Sequence, residues 1–215
     1  MRFFMIRNPS AYMTEVNTSK KSLRRQSGLA HVINYGQFGN VTLNGPSLFI
    51  CERHPLTILQ LDTNKAKTLT DISNLLNVEL PHTTNTCKGN DERRILWSGP
   101  NRWLIIEPEQ DCLQTLIKSE FNSSEVFLTD LSHGRSAVRI NGRKARDVLM
   151  KGSGVDWHIN SFVTDDCVHT KLFDLAATVD CRDKDVFDIY IARGFAEDFW
   201  KILQDAAAEF GYQVD

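Results

Sequence analysis

The stretch Thr129-Asp-Leu-Ser-His-Gly-Arg-Ser-Ala-Val-Arg-Ile-Asn-Gly-Arg-Lys-Ala-Arg-Asp-Val-Leu-Met-Lys-Gly152 decides the reading of the chain. Val126, Phe127 and Leu128 lead into it as a strand end, and Ser132-His133-Gly134 makes a small polar turn. From Arg135 the pattern alternates. Ser136, Val138 and Ile140 point one way and Arg135, Ala137 and Arg139 the other, as a strand requires. Asn141 is a good helix N-cap. Ala145, Val148 and Leu149 then share one helical face, and Gly152 is a natural stop. Strand, turn, strand and short helix thus follow one another here, and they divide the chain into two halves of similar order.

On the N-terminal side, Leu56-Thr-Ile-Leu-Gln-Leu61 reads as a strand. Ala66, Leu69, Ile72 and Leu76 keep helical spacing over 65–76, capped by Asp62 or Thr63. Extended segments at 92–97 and 102–107 flank a Ser98-Gly-Pro-Asn101 turn. A helix at 111–121 and a strand at 125–129 complete a β-α-β-β-α-β order, the split βαβ or ferredoxin-like unit. The order repeats on the C-terminal side: a strand at 136–140, a helix at 143–151, an irregular link with Trp157, His158 and Phe162, and extended structure over 167–181. A partner strand at 186–191 and a long helix at 194–210 follow. Phe195, Phe199, Ile202, Ala206 and Phe210 lie on one face of that helix, broadened by Trp200, Leu203 and Ala207, and 212–214 is a final edge strand. The expected fold class is α+β, with two tandem ferredoxin-like halves (about 56–130 and 136–215) in a domain over 46–215. Residues 1–45 read as a partly flexible N-terminal arm. Gly36-Gln-Phe-Gly-Asn40 breaks any element there, and edge strands are expected at 32–33 and 41–43.

Apolar residues make up 41% and charged residues 24% of the 215, ordinary for a globular protein. The formal charge of -2 conceals an asymmetry. Arg2, Arg7, Lys20, Lys21, Arg24 and Arg25 stand against Glu15 alone at the N-terminus, so the body is acidic, which argues against broad nucleic-acid binding. The basic arm is either solvated or docks on a partner. Cys51, Cys87, Cys112, Cys167 and Cys181 show no C-x-x-C spacing, and their odd count points to reduced thiols in a cytoplasm. Phe3-Phe4-Met5-Ile6 is too short for a signal peptide's apolar region, Met13 is a second candidate start, and no apolar run approaches a membrane span.

Candidate chemistry is sparse. Asp130, Ser132 and His133 contain the residue types of a nucleophile and its base, but residues so close on one turn rarely reach that geometry. The expectation is that Asp130 and Ser132 bond backbone amides while His133 tips the turn. Cys167 and His169 share a strand face and could join Cys181 and His158 at zinc, yet structural zinc uses paired ligands on tight turns. Lys151-Gly-Ser-Gly154 superficially resembles a phosphate loop without its spacing or its leading strand. Arg135, Arg139, Arg143, Lys144 and Arg146 form a basic cluster whose helix-start charges oppose the dipole. The cluster is either solvated surface or a contact for an acidic partner or a phosphate. Trp97, Trp103, Trp157 and Trp200 fit core positions better than a cofactor box.

Three segments together carry a family resemblance. They are Leu128-Thr-Asp-Leu-Ser-His-Gly-Arg135 with Arg139-Ile-x-Gly-x-x-Ala-Arg-Asp-Val-Leu149 and Lys151-Gly152; Leu96-Trp-Ser-Gly-Pro-Asn-Arg-Trp-Leu104; and Ile189-Tyr-Ile-Ala-Arg-Gly-Phe-Ala-Glu-Asp-Phe-Trp200 with Ala206-Ala-Ala-Glu-Phe-Gly211. In this order and spacing the chain resembles the γ subunits of heterotetrameric sarcosine oxidases and, more loosely, the glycine-cleavage aminomethyltransferase superfamily. The resemblance implies an aminomethyltransferase folate-domain-like fold. It implies a non-catalytic subunit, with no catalytic, cofactor or metal residue of its own, in a cytoplasmic complex that demethylates sarcosine to glycine. Tetrahydrofolate would take the one-carbon unit and oxygen would be reduced to peroxide. NAD, FAD, FMN, zinc and tetrahydrofolate are expected in partner subunits. The expected partners are the α, β and δ subunits, chiefly α, with no nucleic acid and no membrane. The alternatives are a free-standing folate-dependent aminomethyltransferase and an iron-sulfur assembly protein. Ser153 weakens the latter, because it stands where those proteins carry the cysteine of a Lys-Gly-Cys motif.

Overall fold

Side chains alternate along a strand, so a strand apolar on both faces must lie between two layers. Six strand segments, 56–62, 94–99, 102–108, 135–141, 175–183 and 186–192, bury residues on both faces. The structure, a computed structural model, describes residues 25–109 and 112–215. Its elements are β1 (Gly36–Phe38), β2 (Leu48–Glu52), β3 (Leu56–Asp62), α1 (Ala66–Leu76), β4 (Cys87–Gly89), β5 (Arg94–Gly99), β6 (Arg102–Pro108), α2 (Leu113–Glu120), β7 (Phe127–Asp130), β8 (Arg135–Asn141), α3 (Ala145–Gly152), β9 (Cys167–Leu172), β10 (Leu175–Asp183), β11 (Val186–Ala192), α4 (Ala196–Ala208) and β12 (Tyr212–Val214). They build a mixed α+β fold with two sheets. One has five strands in the order β4-β5-β6-β3-β7, the other seven in the order β1-β12-β2-β8-β11-β10-β9.

The layers follow from the alternation. Leu59 and Leu61 of β3, Ile95 of β5, and Trp103 and Ile105 of β6 face Ile72 and Leu76 of α1 and Leu113 and Ile117 of α2. Val138 and Ile140 of β8, Val179 of β10, and Phe187 and Ile189 of β11 face α3 and α4 in the same way. The remaining faces meet each other, with Ile58, Leu96, Leu104 and Ile106 packed near Ala137, Cys167 and Tyr190. The order is helices, sheet, sheet, helices.

Several elements differ from their expected form. The segment 167–181 is not one extended run but the hairpin β9–β10, turned at Phe173 and Asp174 with φ of 52° and 61°. The expected edge strands at 32–33 and 41–43 do not form. Instead β1 crosses the supposed breaker at Gly36–Phe38, because β12 pairs with it from the far end of the chain and Phe38 stacks on Tyr212. β2 pairs parallel with β12 and antiparallel with β8, so it joins the seven-stranded sheet although its sequence neighbour β3 lies in the other. α3 starts at Ala145 rather than after Asn141: Lys144 N–H bonds Ser47 O and Ala145 N–H bonds Gly142 O, so no side-chain cap is used.

Gly142 is required by this turn. Its φ is 120°, and a Cβ there would lie 2.6 Å from Ser47 O, a backbone atom that cannot swing aside. Gly142→Ala is expected to lower stability by about 1–3 kcal/mol, whereas Gly154→Ala, with open space around it, is expected to change it by less than about 1 kcal/mol. Thermal melts of the two variants check this. Equal shifts would show that the Gly142 turn relaxes freely.

Candidate functional site

Charge inside a closed layer needs partners, and the space between the sheets holds a concentrated set of them. Arg94 starts β5 on the face turned to the other sheet, with its side chain 4% exposed. It reaches the fully buried Asp180 of β10, with Nη2 2.8 Å from Oδ1, and Asp165 at 2.5 Å. Further along, Arg139 of β8 grips Asp188 of β11 through Nε at 2.6 Å and Nη2 at 2.8 Å. Asp91 joins from the β4–β5 loop, 2.7 Å from Arg182 and 3.3 Å from Arg139. Arg53 adds looser contacts to Asp188 at 3.5 Å and Asp91 at 3.9 Å. Four arginines therefore face four aspartates. Although desolvation pushes the Asp91 carboxyl up, Arg182 and Arg139 hold it below its usual range. Arg94 is kept above the ordinary arginine value: burial opposes this, but Asp180 outweighs it.

Cysteines border the layer. Cys87 Sγ lies 3.2 Å from Asp180 Oδ1, and burial, then Cys167 beside it, pushes its thiol far up. Cys181 lies on the opposite face of β10, where burial raises its thiol to about 12. Such thiols are poor nucleophiles.

The residues singled out from the sequence are only partly brought together. Ser132 Oγ accepts the Ile58 N–H at 2.9 Å, and Asp130 Oδ1 accepts the Ser132 N–H at 2.8 Å, so both support the turn while His133 is exposed. Cys167 and His169 both approach Trp97 O, at 3.6 Å and 3.3 Å, but Cys181 faces α3 and α4 on the other side of β10. Among the described residues no group of three or more His, Cys, Asp or Glu could hold a metal ion. Ser153 Oγ lies 3.3 Å from Thr170 Oγ1 and takes the Val155 N–H, which closes the loop locally. Trp157 and Trp200 are fully buried core residues, and Trp103 Nε1 donates to Pro81 O.

The basic cluster separates by environment. Arg139 belongs to the ionic layer. Arg146 binds Trp157 O at 2.7 Å and Phe162 O at 3.0 Å and sits 4.9 Å from the Phe187 ring, so it staples the 153–166 link to α3. Lys144 pairs with Asp147 at 2.7 Å. Arg143 is exposed, and Arg135 is half-buried at the start of β8. Reading the sequence missed Arg94, Asp180 and Asp188. The signal was there: a single charge interrupts the buried runs Ala177-Thr-Val-Asp-Cys181 and Phe187-Asp-Ile189.

Two clefts open away from the layer. One of about 460 Å³ lies between the end of α1 and β5–β6, with Arg93 and the nearly buried Glu107 in its wall. The other, about 500 Å³, lies between α2 and the edge strand β7, beside Phe127, which is 63% exposed. Among the described residues no helix is long and apolar enough to cross a membrane.

The profile of the sarcosine oxidase gamma subunit family matches residues 62–209. The sarcosine oxidase subunit gamma of Corynebacterium sp. strain U-96 is 26% identical over 116 residues, covering 54% of this chain and 57% of the relative. That of strain P-1 is 27% identical over 132 residues, covering 61% and 65%. The matched part is thus under two thirds of the length of these curated relatives. Among solved structures, the heterotetrameric sarcosine oxidase from Corynebacterium sp. U-96 in complex with pyrrole 2-carboxylate contains a chain of similar fold. Its TM-score is 0.78 at 23% identity, over 86% of this chain and 96% of that one. The glycine cleavage system aminomethyltransferase T from Bartonella henselae aligns with a TM-score of 0.57 at 14% identity, over 79% of this chain and 48% of that one.

Proposed function

Because the chain belongs to the sarcosine oxidase gamma subunit family, we propose that it is a non-catalytic subunit of a heterotetrameric sarcosine oxidase. In this reading it supports assembly of the complex that oxidatively demethylates sarcosine to glycine. The one-carbon unit passes to tetrahydrofolate and oxygen is reduced to peroxide. NAD, FAD, FMN, zinc and folate are held by partner subunits. The α subunit is the chief contact, with β and δ completing the complex, and the site of action is the cytoplasm. The fold is read as two tandem ferredoxin-like halves. The order β3-α1-β5-β6-α2-β7 with sheet order β5-β6-β3-β7 supports this for the first half. In the second, β2 stands between β8 and β12 as an inserted strand.

The family match over residues 62–209 carries the proposal. The commitments of the polar side chains support it, since Ser132, Cys167, His169 and the arginines and aspartates of the ionic layer are hydrogen-bonded or ion-paired within the fold. Phe127 supports it too, since this large apolar side chain is 63% exposed beside the cleft between α2 and the edge strand β7. Arg135, Arg143 and Lys144 are the cluster members proposed to touch such a partner.

Co-purification of the untagged chain from its native cell tests the reading. The expected result is stable company in larger, flavin-coloured chains, with sarcosine oxidation by the complex and none by the isolated chain. A purified chain that alone turned over sarcosine, or passed a one-carbon unit to folate, would overturn it.

A further inference from the structure

At the end of the inter-sheet layer, four arginines from distant parts of the sequence line one small cavity. Arg25 comes from the N-terminal segment, Arg53 follows β2, Arg135 opens β8, and Arg193 sits in the one-turn 3-10 helix before α4, with Glu52 and His54 also in the wall. Close approach makes this meeting possible. A Cβ on Gly28 would fall 2.7 Å from Ser136 Oγ and 3.2 Å from Arg193 Cγ, so the N-terminal segment lies directly on the β8 and α4 ends.

The charges around the cavity do not balance. Arg25 is paired with Glu109 at 2.9 Å and also donates to Leu56 O and Ser132 O, yet its buried Nε has no partner. Arg53 is shared with Asp188 and Asp91 in the ionic layer. The Glu52 carboxylate, which takes the Ser27 hydroxyl, is among the described residues the one acidic group in the wall against these four arginines. Among the described residues, the guanidinium groups of Arg135 and Arg193 have neither a hydrogen bond nor an ion pair, although both residues are half-buried. Arg53, Arg94, Arg139 and Arg182 are matched to aspartates and Arg25 to Glu109, so this end of the layer is short of negative charge. A partly desolvated, unmatched guanidinium is unfavourable, and a carboxylate is a group that its planar fork matches.

We propose that this cavity is an anion seat that receives one carboxylate, carried by an acidic side chain or the carboxy terminus of a partner subunit. Its volume, about 10 Å³, holds a single water-sized atom. One oxygen of a carboxylate enters, and the rest of the group stays at the mouth with the chain that carries it. A free small acid would gain little beyond that one oxygen, whereas a carboxylate tethered to a docked chain adds to the rest of an interface. The proposal rests on the assembly reading above and names one contact within it.

The test uses the complex reconstituted from the wild-type chain and its purified partner subunits, with dissociation constants measured over a series of salt concentrations. Arg135→Glu combined with Arg193→Glu is expected to weaken association by about 30-fold or more and to flatten its salt dependence. The neutral pair Arg135→Gln and Arg193→Gln is expected to act in the same direction by a smaller factor. Lys201→Glu makes the same charge change on the exposed face of α4 and is expected to leave affinity within about twofold. Melting curves confirm that the variants are folded, and the neutral pair keeps the test decisive if charge reversal unfolds the chain. Wild-type association with both arginine pairs equally tight would overturn the seat while leaving the subunit reading intact. Failure of the wild-type chain to associate would overturn both. Acetate is the probe for the free-acid source. If it raised the melting temperature of wild type but not of the glutamine pair, with affinity for the partners unchanged, the seat would belong to a small acid and the docking proposal would fall.

Discussion

Asp180→Ala is expected to destabilise the chain by about 3–5 kcal/mol, the usual result of removing one partner from a buried pair. The carboxylate is fully buried and takes the Arg94 guanidinium at 2.8 Å, Arg182 at 3.4 Å and the Cys87 thiol at 3.2 Å. Without it Arg94 would stay inside the layer and stay charged, because arginine does not release its proton in proteins. Asp165 and the carbonyls of Gly89 and Cys181 would remain, too few to restore the lost carboxylate. Asp165→Ala is the matched control. It removes a carboxylate from the same guanidinium, but Asp165 is 51% exposed, so the expected loss is under about 1 kcal/mol. Replacing the pair together, Asp180→Leu with Arg94→Met, should recover much of the loss, since apolar residues of similar volume replace buried pairs at little cost. Urea midpoints at constant m-value measure all three. Equal losses from Asp180→Ala and Asp165→Ala would show that water reaches the layer and that the pair does not hold the sheets together.

That layer was the least legible part of the chain, for a physical reason. Arg94 and Asp180 lie in different sheets and meet only after both have formed, so neither has a neighbour in sequence that announces the pairing. Adjacency in sequence misled in the opposite direction. Arg135, Arg139, Arg143, Lys144 and Arg146 read as one basic patch. The strand turns Arg139 into the inter-sheet layer, while Arg146 wraps around Phe187 and the link beyond α3. The first half was easier to read, because β3, β5, β6 and the apolar stripes of α1 and α2 are local patterns with local turns. The β9–β10 hairpin escaped because its turn is Phe173-Asp174 instead of an Asn-Gly type. β1 and β2 escaped because their partners β12 and β8 are far along the chain. The Ser132 turn was read correctly, since its bonds run to atoms close in sequence or to the strand that it closes.

Phe199→Ala is expected to cost about 3–5 kcal/mol, in the range for deleting a buried aromatic side chain. α4 is the longest helix among those described, and its inward stripe is Ala196, Phe199, Trp200, Leu203 and Ala207. Phe199 is fully buried against the sheet and lies 6.3 Å from the Phe173 ring at the β9–β10 turn, so its removal opens a cavity where helix, sheet and hairpin meet. Spacing alone had placed Phe195 and Ile202 on that same face. The structure leaves them 52% and 37% exposed. Phe195 belongs to the 3-10 turn before the helix, and the buried stripe descends from Ala196. A shift of one residue rotates a helical face by about 100°, so the two assignments predict different outcomes. With the stripe starting at Ala196, Phe195→Ala should cost under about 1 kcal/mol, as should Glu197→Ala, which loses only a favourable charge in the first turn. Denaturant midpoints of the three variants distinguish them. A loss for Phe195→Ala as large as for Phe199→Ala would mean that α4 packs with the face that spacing suggested. The exposed Phe195 and Ile202 would then no longer be available as apolar surface for a partner.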